Sequence, residues 1–151
     1  MKKIIFILFL FAYGNTMAQT PARTIKGFLS DLKKSKWSYD DIIKNHVATL
    51  SKKDTTNKND RSYQEVKAAY LESLKELSGK LETVEISSVE VRNYLTAPDS
   101  LKTMVLDNET QKTTYIASDS KGFLQYFHMK GSKIDSWIRF KNGRSFLGYG
   151  L

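Results

Sequence analysis

Gly122-Phe123-Leu124-Gln125-Tyr126-Phe127-His128-Met129 is the stretch that decides the fold. Side chains alternate across a strand. Phe123, Gln125, Phe127 and Met129 therefore share one face, and Leu124, Tyr126 and His128 share the other. Both faces are partly apolar, which predicts a central strand covered on one side and half wet on the other. Lys130-Gly131-Ser132 supplies a turn. Lys133 to Phe140 then alternates: Ile134, Ser136, Ile138 and Phe140 point to a core, while Lys133, Asp135, Trp137, Arg139 and Lys141 point to a polar face around a single Trp. Asn142-Gly143 is a hairpin signal, because both residues tolerate the positive φ of a type I′ turn. Arg144 to Tyr149 returns as a last strand. Upstream, Leu101 to Leu106 and Lys112 to Ala117 read as two more strands. A meander of this kind needs an apolar cover from elsewhere in the chain.

The cover comes from three predicted helices. Ile25, Phe28, Leu29 and Leu32 recur at i, i+3, i+4 and i+7 in the first, which follows a frayed start at Thr20–Thr24 and ends near Lys34. Ser38 and Asp41 match a capping box, and Ile42, Ile43, His46, Val47 and Leu50 carry the stripe of a second helix from Tyr39 to Leu50. Trp37, in the link, caps the seam between helices and sheet. Ser51 to Asp60 is polar throughout and reads as a solvated loop. Val66, Ala69, Tyr70, Ser73, Leu74 and Leu77 form the stripe of a third helix, Tyr63 to Ser78, with Gly79 placed to end it at positive φ. From Leu81 to Tyr94 the period changes to two. The apolar set switches parity near Ser87-Ser88, which predicts a bulge or sharp bend there.

Composition narrows the function classes. The chain has 151 residues, enough for one domain, and no cysteine. That excludes disulfides, thiol nucleophiles, Cys-ligated zinc and iron–sulfur clusters. Residues 1–18 read as a signal peptide: Lys2 and Lys3, the apolar run Ile4 to Ala12, then Thr16-Met17-Ala18 before a cleavage point. A retained membrane anchor is the rival reading of the same run. Residues 19–151 then form a single domain that is exported to the periplasm or beyond. The formal charge is +8, with lysine dominant and acids interspersed. A solvated basic surface with weak attraction to anionic glycans or phospholipids explains it better than nucleic acid does.

The order of helices before strands implies an α+β domain, with N-terminal helices packed on a curved antiparallel sheet. It resembles the cystatin-like or NTF2-like α+β cone over Ile25 to Tyr149, and the parity switch at Ser87-Ser88 suits the bend that such a cone requires. A helix-plus-meander domain of another topology is the rival. The resemblance implies that N-terminal helices cover a strongly bent sheet and enclose a pocket. Enzymes of that superfold resemble one another in placing an Asp–His pair or a Tyr–Asp set inside the cone. No motif here carries those residues over.

Candidate sites are few. His128 and Tyr126 share a strand face, and Asp135 on the next strand is placed to orient the imidazole. The three make a proton-transfer set if that face lines a cavity, and otherwise a surface pair across a hairpin. His46 reads as a histidine at the edge of the core. Trp137, Tyr126, Tyr149 and Tyr115, flanked by Arg139, form either cross-strand packing pairs or an aromatic platform for a sugar, peptide or apolar ligand. Two histidines and scattered carboxylates make no metal set, and no cofactor motif is present. The leading expectation is a non-enzymatic exported domain that binds a small molecule, a glycan or an envelope protein. A small hydrolase or isomerase using His128, Asp135 and Tyr126, and a structural envelope-associated protein, are the alternatives.

Overall fold

A computed structural model describes residues 20–48 and 63–138. The signal-peptide segment, the 51–60 loop, Arg139, Tyr149 and the Asn142-Gly143 hairpin lie outside these residues. Helix α1 spans Pro21–Leu32, α2 Tyr39–His46 and α3 Tyr63–Lys80. Strand β1 spans Glu90–Asn93, and the short helix α4 spans Asn108–Thr113. Strands β2 (Thr114–Ser118), β3 (Leu124–Lys130) and β4 (Lys133–Ser136) complete the described chain. The sheet is a four-stranded meander in the order β1-β2-β3-β4, antiparallel throughout.

The α+β class holds, but the cystatin-like or NTF2-like cone does not. The sheet is neither strongly curved nor closed. The expected bent strand through Ser87-Ser88 does not exist. Residues 81–85 form turns and extended chain, Ile86–Ser88 is a single 3₁₀ turn, and pairing starts only at Glu90. The parity switch marks the place where a loop enters the sheet. A cone needs long bent strands, and β1 is four residues long.

The apolar stripes behave as their spacing requires. Ile25, Phe28, Leu29 and Leu32 of α1 are fully buried, as are Tyr70 and Leu74 of α3. They meet Ala117, Phe127, Met129 and Ile134 of the sheet in one core. Helix α1 starts earlier than its stripe. Thr20 caps it by accepting the Arg23 amide at 3.4 Å, and Pro21 occupies the first turn, where a missing N–H costs nothing. Helix α2 begins as read, with the Ser38 hydroxyl accepting the Asp41 amide. It ends early, at His46. Val47 turns extended and bridges Ile134 in parallel, and the Ala48 amide donates to the Ile134 carbonyl at 2.7 Å. Helix α3 continues past Gly79, which does not adopt positive φ. Leu81, fully buried one turn beyond Leu77, draws the chain on.

The second face of the sheet is covered in part. The strand expected over Leu101 to Leu106 is absent: residues 94–106 fold back as two 3₁₀ turns and irregular chain across that face. Tyr94, Ala97 and Leu106 pack there on Ile116 and Tyr126, with Leu101 and Leu124 at the margin. The polar run Asp107–Thr110 starts α4. The Asp107 carboxylate accepts the Thr110 hydroxyl and amide, and these bonds hold its pKa below the usual value.

Candidate functional site

The structure brings two of the three proposed proton-transfer residues together. His128 Nδ1 lies 3.0 Å from Asp135 Oδ2, and both side chains are partly buried. The turn end of the hairpin already sets a register that places Asp135 opposite His128, and a bulge there then shifts the pairing by one. His128 pairs with Ser136 and Met129 with Ile134, so Asp135 is the extra residue on β4. Tyr126 does not join them. Its hydroxyl donates to the Leu101 carbonyl at 2.6 Å and accepts the Thr103 amide at 2.9 Å. It ties the 94–106 segment to the sheet.

The aromatic platform is dispersed. Trp137 is 4 % exposed. It lies in the helix-side core, 5.1 Å from both the Phe28 and Tyr70 rings, and donates its indole N–H to Ser73 Oγ at 2.8 Å. The bulge is the reason. One extra residue shifts the parity of everything after it, so Trp137 turns from the expected polar face into the core. Tyr115 packs at the margin of the same core, whereas Tyr126 lies on the opposite face with Tyr94. No common surface presents Trp137, Tyr115 and Tyr126. Trp37 lies half-buried against the main core, and its indole N–H donates to Ser78 Oγ, which in turn donates to the Leu32 carbonyl. It fastens the α1–α2 link to α3, not to the sheet.

His46 has a partner that sequence spacing did not reveal. It is 9 % exposed, stands edge-on to Phe28, and its Nε2 lies 2.7 Å from Asp31 Oδ2. Asp31 also accepts from Lys34, and the two contacts, Lys34 first, hold its carboxyl below the ordinary 3.8. A depressed folded pKa contributes stability that is present above 3.8 and is lost as pH falls through the lower folded value. Asp31→Asn should therefore destabilise the chain by about 1–2 kcal/mol at neutral pH, the carboxylate being partly exposed. Its acid limb below about pH 4 should also be shallower than the wild-type limb. Urea unfolding across pH 2–7 measures both. Parallel acid limbs would remove Asp31 from the account.

The site that sequence reading missed is the outer edge of β1. A groove of about 610 Å³ runs between Ala22 and Lys26 of α1 and the segment Ser87–Arg92. It touches Val89 and Val91, which face the helices, and also Glu90 and Arg92, which face away. A groove that meets both parities follows the backbone edge. β1 pairs with β2 on one side, and no described strand pairs with it on the other. Glu90 and Arg92 form an ion pair along the strand. The signal in the sequence was the short run Glu90-Val91-Arg92, apolar only at its centre and charged on the parity away from the helices. Two smaller clefts lie elsewhere, about 230 Å³ beside Asp31 and Trp37 and about 170 Å³ between α3 and the Gln125–Trp137 contact. Among the described residues, no group of three or more acidic or histidine side chains could hold a metal ion. Exposed Leu95, Met104 and Val105 all belong to the 94–106 segment. Set against protein-family models, curated proteins and solved structures, the chain matches none.

Proposed function

We propose that this protein is a binding domain that takes an extended polypeptide strand along the outer edge of β1. The observation that carries the reading is the edge itself, flanked by an open groove whose other wall is α1. Main-chain hydrogen bonds from such an edge supply affinity, and alternate side chains of the guest fall into the groove or away from it. Here the inward positions would meet Ala22, Val89 and Val91, and the outward ones Glu90 and Arg92. The partner is an unstructured or edge-strand segment with small apolar residues at alternate positions.

The test is a selection of displayed random decapeptides on the full chain, followed by amide hydrogen exchange on the enriched complexes. Protection should appear at Glu90–Asn93. Ala22→Trp, which fills the groove from the α1 side, should weaken binding at least about ten-fold by removing the space the guest needs. Enriched peptides that leave β1 unprotected, or that bind Ala22→Trp as well as wild type, would end the reading.

A further inference from the structure

The β1 edge is complementary to itself, and this second step rests on the strand-addition reading above. In an antiparallel pair centred on Val91, a second copy places its Arg92 opposite Glu90 and its Glu90 opposite Arg92. Val91 meets Val91. The strand Glu90-Val91-Arg92 is the self-complementary unit, and both charged side chains are well exposed, 62 % and 42 % respectively. Opposite charges directly across an antiparallel pair attract, and like charges in the same place repel. A two-fold axis through Val91 uses each pair twice, as an isologous interface requires.

We propose that the partner strand is β1 of a second copy, so that two four-stranded sheets join edge to edge into one sheet of eight. The groove wall supports this geometry. Ala22 is small, and Lys26 is the one charged side chain that α1 contributes to the groove lining. The strand is short, so the contact belongs to the weak, transient class of interfaces. It forms at roughly 0.1–1 mM protein, and salt weakens its charge pairs.

Charge reversal tests the register. Sedimentation equilibrium of the full chain, purified as the expressing cell delivers it, should show a monomer–dimer equilibrium. Glu90→Arg and Arg92→Glu each place like charges across the two-fold, and each should weaken dimerisation at least about ten-fold. Mixing the two variants restores opposite charges and should return association to the wild-type level as a mixed dimer. The double variant Glu90→Arg with Arg92→Glu keeps the complementarity and should self-associate like wild type. Unchanged circular dichroism shows that each variant is folded. A wild-type chain that stays monomeric at 1 mM, or dimerisation indifferent to the single reversals, would overturn the proposal. Edge protection by selected peptides would then leave the strand-addition reading standing. Dimerisation that protects amides elsewhere, with no peptide protecting β1, would overturn both.

Discussion

Trp137→Ala should lower the stability of the folded chain by about 3–5 kcal/mol, the range for truncating a buried aromatic side chain. Trp137 is nearly fully buried and touches Phe28 from α1 and Tyr70 from α3 at the end of β4. Those two rings come from separate elements and cannot both collapse into the space that the indole leaves. The indole N–H is also lost, which leaves Ser73 without its donor. Urea unfolding gives the number, and Ser73→Ala isolates the hydrogen bond, worth about 1 kcal/mol of the total. If Trp137 were a surface platform residue, its removal would change stability by less than about 1 kcal/mol, and that result would contradict the buried placement.

Tyr126→Ala should have a comparable effect, again about 3–5 kcal/mol, but on the other side of the sheet. The ring packs in the second cluster with Tyr94, and the hydroxyl holds both Leu101 and Thr103. Losing it removes the main polar tie between the 94–106 segment and β3. Amide exchange in that segment should rise more than in α1 or α3, since local opening costs less than global unfolding. Tyr126→Phe separates the two contributions. It keeps the ring and leaves the Thr103 amide and Leu101 carbonyl unsatisfied, a loss of about 1–3 kcal/mol. A uniform rise in exchange across the whole chain would show that the segment is not an independent flap over the sheet.

The helices were legible because their stripes obey one period and their starts carry chemical signals. Ser38 sits where it caps, and Ile25, Phe28, Leu29 and Leu32 are buried as spaced. Helix ends were harder. Val47 continues the α2 stripe on paper, yet a strand across space offers it a partner in Ile134, and no local pattern announces that. The β3 alternation was also correct, with Phe127 and Met129 in one cluster and Tyr126 in the other. What failed was β4. The alternation of Ile134, Ser136 and Ile138 looks regular, but the bulge at Asp135 breaks it. A bulge adds one residue without any required residue type, so it leaves no mark in a period-2 pattern. The slip took Trp137 away from Tyr126, while Asp135 stayed beside His128, where the turn-end register already places it. One local irregularity thus dispersed the aromatic platform. Residues 94–106 misled for a different reason: an irregular segment that covers a sheet shows apolar residues without a period.

The order of the strands also has a meaning for assembly. β2, β3 and β4 follow one another through short turns at 119–123 and Gly131-Ser132. β1 reaches β2 only across the whole 94–113 segment, and closing a longer loop costs more chain entropy. The C-terminal strands are therefore the cheapest part of the sheet to bring together, and β1 is the strand held at greatest entropic cost. The proposed docking edge thus belongs to the strand that the chain closes into the sheet at the greatest entropic cost, and a strand pairing there would hold β1 from its outer side.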